Sequence, residues 1–433
     1  MNYKTYEKYK NTSTDWISNI PSHWETNRFK ITFSYSKGKN PQTFSDEKKE
    51  GYAPYLSMEY LRNDIDPTYV PIKECPLKAN DGDILLLWDG SNAGEFVVSK
   101  GGLVSSTMAK LTPNIRIDNN LSKYLCKSIE PLLRELTIGM GVPHVSTTKL
   151  NNIQIPTIPL AEQKQIANYL DKQTAKIDAT IAKNKELIEL LEEKRVALIN
   201  QVVTKGLNPD VPMKYSGVEW IGKIPEHWNI MKSKHHGFVL GGYAFKSGDF
   251  TDSGVKVVKI TNVQSLKFDW SECFYLPKSY LHEHSEFKIN KGDIIFALTR
   301  PIISTGIKAA IFDENEPALA NQRTGIFKKH SNDLISTFLY YVIYSDYFKE
   351  DFKSKITATN QPNISPLDIG EIKLILPSVE EQKQIVSKLD EETKKISEVI
   401  SKIKENINLL EEYKTSLIHN VVTGKIDVRE EVI

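Results

Sequence analysis

Two stretches of this chain share one long-period pattern. Residues 162–204 contain neither proline nor glycine, and their apolar positions fall alternately three and four apart. One series runs Leu170, Ile177, Asn184, Leu191, Leu198, and its companion runs Thr174, Ile181, Ile188, Arg195, Val202. The same two series return 219 residues later as Leu389, Ile396, Ile403, Leu410, Leu417 and Thr393, Ile400, Ile407, Lys414, Val421. Such spacing over four or more heptads predicts a coiled-coil seam on each of two long helices. A single narrow stripe per helix, on two helices, predicts that they bury against each other. Because each is preceded by a similar body, pseudo-twofold symmetry favours antiparallel packing with the bodies at opposite ends of a rigid strut. Asn184 is the polar exception, expected to face Ile403 of the second series, and such a residue sets register or orientation at some cost in stability; a contact with a partner is the alternative. The Lys and Glu residues elsewhere on these helices read as a solvated face.

Between the helices the pattern shortens. "ILLLW" (84–88) and "IIFAL" (294–298) follow Gly82-Asp83 and Gly292-Asp293, which predicts turns leading into buried strands. Residues 121–136 have helical spacing with an interruption or kink expected at Pro131, and residues 334–352 also read as helix. "FVLGGYAF" (238–245) lacks the spacing of a cofactor-binding glycine loop and reads as a turn. "KGLNPDVPMKYSG" (205–217) ends the first long helix, with Gly206 suited to a left-handed cap and two prolines after it. The expected fold class is therefore α/β (α+β): two globular bodies separated by two long helices in an antiparallel coiled coil. The boundaries fall at 1–160 (first body), 161–212 (central helix and linker), 213–377 (second body) and 378–433 (C-terminal helix).

The duplication extends beyond the helices. "WISNIPSHW" (16–24) returns at 220–228 as "WIGKIPEHW", 204 positions on. "AEQKQIANYLD" (161–171) matches "EEQKQIVSKLD" (380–390), and "LLEEKRVALINQVVT" (190–204) matches "LLEEYKTSLIHNVVT" (409–423), both now 219 apart. The second copy thus carries about fifteen extra residues in its middle, where only faint echoes survive, such as "NDGDILL" (80–86) with "NKGDIIF" (290–296) and "VPHVS" (142–146) with "QPNIS" (361–365). Shared ends with divergent middles point to one scaffold holding two bodies that do related but different jobs.

Composition narrows the chemistry. With 433 residues, 40% hydrophobic and 26% charged, the chain is ordinary globular material for two or three domains. It has no apolar run of membrane-spanning length and no charged-then-apolar leader, so a cytoplasmic protein without a membrane partner is expected. Cys75, Cys126 and Cys273 are scattered and odd in number, which excludes a disulfide framework and a C-x-x-C metal pair. The Asp/Asn-Pro-Pro-aromatic motif of amino-methyltransferases and the Walker phosphate loop are absent. His282 and His284 read as surface residues and His23 and His227 as packing beside the tryptophans. Glu381, which with Lys383 imitates half a nuclease motif, sits where a carboxylate favours the helix dipole. No catalytic residue and no metal site is predicted.

With the doubled "IPxHW" phrase, the "EQKQI" helix starts and the "QPNIS" loop in place, the whole chain resembles the specificity subunit of type I restriction–modification systems. The resemblance implies two target-recognition domains, each reading one half of a split, asymmetric sequence in double-stranded DNA. It implies that the helical regions dock two methyltransferase subunits and, through them, restriction (translocase and nuclease) subunits. It further implies that this subunit is not itself an enzyme. Adenine N6 methylation would use S-adenosylmethionine in the partner methyltransferase, and ATP and Mg would belong to the restriction subunit. Two departures are "GVPHVS" where the second copy has the more typical "NQPNIS", and Ser18 where it has Gly222.

Base reading needs Arg, Asn, Gln, Ser or Thr at groove edges. In the first body the candidates are Ser91 and Asn92, then Ser106 and Thr107, then His144. In the second they are Arg300, then Asn321, Gln322 and Arg323, then Asn360 and Gln361. Both bodies are close to charge balance, so attraction to phosphates should come partly from partner subunits. The rival from another class is a coiled-coil scaffold carrying two divergent bodies for non-DNA ligands. A self-sufficient restriction enzyme is opposed by the missing motifs.

Overall fold

The computed structural model describes residues 3–430 apart from 13, 15, 64, 140 and 358–360. The chain forms two compact units, residues 1–185 with 404–433, and residues 186–403. Two long helices, Leu160–Lys205 and Val379–Val422, each contribute to both units.

Within the first unit Lys414 pairs with Asp178 at 2.7 Å, and Asn184 donates to Asn406 at 3.0 Å. Numbers rise on one helix as they fall on the other, so the pair is antiparallel there. In the second unit Arg195 donates to Ser397 at 3.0 Å, while Ile199, Val202 and Val203 share a core with Ile385 and Leu389, which is antiparallel again. Every seam position of both series is buried or half-buried, whereas Leu187, Leu190, Val399 and Leu409, off the seam, are exposed. The polar exception, expected opposite Ile403, instead finds its hydrogen-bond partner in a second asparagine, Asn406. Gly206 takes φ +77° and donates to Val202, closing the central helix with a left-handed residue.

The first body is built on a six-stranded sheet in the order Phe33–Lys37, Met108–Pro113, Lys78–Leu87, Phe96–Val104, Tyr52–Leu56, Tyr69–Pro71. Only Tyr52–Leu56 and Phe96–Val104 run parallel. Helix Asn119–Glu135 covers it, with Cys126, Ile129 and Leu133 packed among Leu86, Phe96 and Phe33. The second body divides the equivalent strands between two four-stranded sheets. One runs Gly237–Gly241, Thr324–Lys329, Ile294–Ala297, Ala309–Ile311, and the other Phe274–Leu276, Val255–Val258, Ala318–Ala320, Lys288–Ile289. The parallel pair persists there between Val255–Val258 and Ala318–Ala320.

Several local expectations change. Helix Asn119–Glu135 runs unbroken through Pro131, carried by buried Ile129 and Leu133 on either side. The stretch without proline is the one that breaks, into Ser336–Ile343 and Asp346–Ser354. There the Tyr344 hydroxyl reaches Ala309 and Leu266, and the buried Ser345 hydroxyl accepts from Phe348 N to start the second helix. "FVLGGYAF" is not a turn, because Gly237–Gly241 is a strand paired with Thr324–Lys329. Gly82 forms a bulge inside a continuous strand, whereas Gly292 makes the expected turn. Cys75 and Cys126 are buried free thiols, and Cys273 is exposed.

The repeated phrases meet each other in space. In the first unit Glu162 of "EQKQI" accepts from Trp24 Nε1 at 3.2 Å and lies 2.6 Å from His23 Nε2. In the second, Glu381 accepts from Trp228 Nε1 at 3.2 Å and lies 2.8 Å from His227 Nε2. Burial works against ionised Glu381, yet bonds from His227, Ser378 and Trp228 hold its carboxyl below the ordinary range. The next residue staples the body above it. Gln163 accepts from Asp118 N, at the cap of helix Asn119–Glu135, and Gln382 accepts from Ile335 N, at the cap of Ser336–Ile343. About two turns on, Asp171 accepts from Tyr124 at 2.7 Å and Asp390 from Tyr341 at 2.6 Å. The sequence is repeated because the joint between body and helix is built twice.

The chain ends complete the first joint. Tyr6 donates to Glu162 at 2.9 Å, Arg429 lies over the Tyr6 ring at 4.6 Å, and Asp427 N donates to Lys4 O at 2.8 Å. The short pairing of Tyr9–Asn11 with Asn19–Pro21 recurs as Met213–Tyr215 with Lys223–Pro225, register for register. The equivalence fails at the first tryptophan of the repeated phrase. Trp16 donates to Gln154 O and packs on His419, whereas Trp220 is exposed.

Candidate nucleic-acid interface

In the second body the strand Ile294–Ala297 runs out into a segment held on both sides. Leu298 N donates to Arg323 O at 2.9 Å, Ile364 N to Leu298 O at 2.9 Å, and Arg300 N to Pro362 O at 2.8 Å. Thr299 and Thr357 both bridge to Asn363. Arg300, the Asn321–Arg323 turn and the Gln361–Ile364 loop therefore form one cluster at the end of the sheet. Gln322, Arg323, Arg300 and Gln361 are exposed, and Asn360 lies outside the described residues. Asn321 is half-buried, and its side-chain oxygen accepts from Gln322 N at 2.6 Å, which shapes the turn.

The first body repeats this arrangement bond for bond. Trp88 N donates to Thr107 O at 2.7 Å, Val145 N to Trp88 O at 2.9 Å, and Gly90 N to Pro143 O at 2.9 Å. Asp89 and Ile138 both bridge to His144. Parallel pairing of Leu56 with Val104, and of Val258 with Ala320, sets the register. Ser105, Ser106 and Thr107 thus stand where Asn321, Gln322 and Arg323 stand, His144 where Asn363 stands, and Gly90 where Arg300 stands. Thr107 and Ser91 are exposed, while Ser106, Asn92 and His144 are half-buried. Ser91 and Asn92 occupy a turn closed by Ala93 N to Gly90 O.

Two features set the clusters apart. Gly90 has φ +104°, and its counterpart Arg300 keeps a left-handed φ of +47°, a conformation that strains a residue with a Cβ. A guanidinium is thus held where the fold itself asks for glycine. In the first body Lys37 pairs with Asp89 at 2.9 Å beside Trp88, whereas the second has Thr299 at the Asp89 position. Among the described residues no group of three or more His, Cys, Asp or Glu could hold a metal ion, and no helix is long and apolar enough to cross a membrane. His284 lies among aromatic rings, and His282 is exposed.

Residue-by-residue reading missed the joint: Glu162, Gln163 and Asp171, with Glu381, Gln382 and Asp390, and their tyrosine and tryptophan donors. The signal was present, since all six acceptors stand at matched positions of the repeat.

What these observations define is a duplicated recognition protein: two related bodies, each presenting the same backbone cluster with different side chains, each joined to the helices by the same clasp. Two segments, 21–190 and 225–409, match the family described as "Type I restriction modification DNA specificity domain". The chain is 39% identical over 412 residues to the type I restriction enzyme MjaVIII specificity subunit of Methanocaldococcus jannaschii, covering 95% of this chain and 94% of that one. It is 28% identical over 207 residues to the EcoAI specificity subunit of Escherichia coli, covering 48% of this chain and 35% of the relative. The fold matches a chain solved in work on complex assembly and conformational transition of a type I R-M system, with TM-score 0.65, 16% identity, and 94% and 99% coverage. The chain belongs to the type I restriction–modification DNA specificity family: it is a specificity subunit with two target-recognition domains, the non-catalytic component of its system.

Proposed function

We propose that each cluster reads one half of a split, asymmetric DNA target, and that the two long helices dock two methyltransferase subunits and, through them, restriction subunits. The observation that carries this reading is the matched pair of clusters. One backbone frame displays Gly90, Ser106, Thr107 and His144 in the first body and Arg300, Gln322, Arg323 and Asn363 in the second. A common frame with different polar side chains is what two related readers of different bases require. Methylation of adenine N6 takes place in the partner methyltransferase, with S-adenosylmethionine bound there, and ATP and Mg serve the restriction subunit. The assembly works on cytoplasmic DNA. Because neither body has a marked positive balance, much of the phosphate attraction comes from the partners. Methylated-adenine sequencing of a host expressing this chain with its methyltransferase tests the reading. The expected motif is bipartite with a fixed spacer. A single uninterrupted motif contradicts it, and an absence of sequence-specific methylation favours the scaffold alternative.

A further inference from the structure

The "FVLGGYAF" strand takes no part in the clusters above, yet it ends against one of them. Gly242 approaches so closely that a Cβ there would fall 2.3 Å from Asn321 O. Tyr243 N then donates to Ala320 O at 2.9 Å, and the residue bridges in parallel to Asn321. Tyr243 is thereby rooted at the base of the turn whose next two side chains, Gln322 and Arg323, are exposed. Tyr243 is itself exposed, at 42%, although three rings back it: His284 at 4.3 Å, Phe245 at 5.1 Å and Phe287 at 5.3 Å. Rings gathered in this way ordinarily bury one another. Here they hold one at the surface, with its freedom already restricted before any ligand arrives.

The first body offers a comparison at the same backbone position. Gly38 N donates to Met108 O as Gly242 N donates to Thr324 O, and the following residue is Lys39, also exposed. A cation there suits a phosphate, whereas a fixed aromatic suits the apolar edge of a base in the groove, such as a thymine methyl group.

We propose that Tyr243 is a specificity-determining residue of the second half-site, packing its ring against a base beside those faced by Gln322 and Arg323. This rests on the split-target reading above. The assay is methylation by the assembled complex on duplexes carrying every single base-pair change in the second half-site, with changes in the first half-site as internal control. Tyr243→Ala lowers discrimination at one position by on the order of tenfold, as for loss of one base-edge contact in the groove, and leaves first-half discrimination intact. Tyr243→Phe keeps wild-type discrimination. Equal weakening on cognate and altered second halves, or no change, overturns the proposal. To guard against a variant that fails to fold, the unaltered complex is irradiated on duplexes with 5-iododeoxyuridine at each position of the second half-site. A crosslink to Tyr243 is expected, and crosslinks confined to other residues overturn the proposal. If the wild-type complex shows no discrimination at either half, the split-target reading has failed. If it discriminates and Tyr243 proves silent, only the present inference has.

Discussion

Glu162→Ala removes the acceptor on which the first joint converges. Three groups point at this carboxylate: Trp24 Nε1 at 3.2 Å, the Tyr6 hydroxyl at 2.9 Å and His23 Nε2 at 2.6 Å. His23 is half exposed, so water replaces its bond at little cost. Trp24 and Tyr6 are 0% and 4% exposed, and each keeps a donor with no acceptor. At about 1–3 kcal/mol per orphaned buried donor, the loss is about 2–6 kcal/mol. Glu381→Ala orphans only one buried donor, Trp228 Nε1, because His227 and Ser378 are exposed, and should cost about half as much. Hydrogen exchange resolved to peptides separates the two joints. Glu162→Ala should lower protection across 16–30 and leave 220–232 unchanged, and Glu381→Ala should do the reverse with the smaller effect. Tyr6→Phe, which keeps the ring and removes one donor, should cost less than Glu162→Ala. A loss under about 1 kcal/mol for Glu162→Ala, or equal losses for the two glutamate variants, would refute the reasoning.

Arg300→Gly relieves a left-handed residue and should raise the stability of the second unit by about 1 kcal/mol, while discrimination in the second half-site falls; Arg300→Ala should lose discrimination without that gain, as thermal denaturation and methylation assays would show. Asp427 is paired with Arg429 at 2.7 Å, and although burial opposes it this pairing holds its carboxyl below the ordinary value of 3.8. Its contribution is therefore complete above that pH and is lost as pH falls toward the lowered folded value. Acid unfolding of the first unit should accordingly be steeper below about pH 4 in the wild type than in Arg429→Ala, and identical profiles would deny the pairing a role.

The long helices were legible because their period is strict, and the asparagine inside the first series, Asn184, is answered in the fold by Asn406. The joint was legible only as a repetition. Glu162 and Trp24 are 138 residues apart, and no local pattern says that one accepts a hydrogen bond from the other. Helix ends in the bodies were decided by tertiary contacts. Buried neighbours carried one helix through Pro131, and Ser345 with the Tyr344 hydroxyl stopped another where its spacing would have continued. The candidate loops were recognisable by composition and position, and five short hydrogen-bonded or bridged contacts in each body bring them together. Tyr243 was hidden because its strand looks like a glycine turn until its partner, Thr324–Lys329, is known.

The account stands on two bodies that read separately. The direct test is to replace residues 220–377 with the corresponding body of a relative of known target and sequence the methylated adenines made by the hybrid complex. The account predicts a bipartite motif with the original first half, the original spacer and the donor's second half. A motif altered in both halves would contradict it.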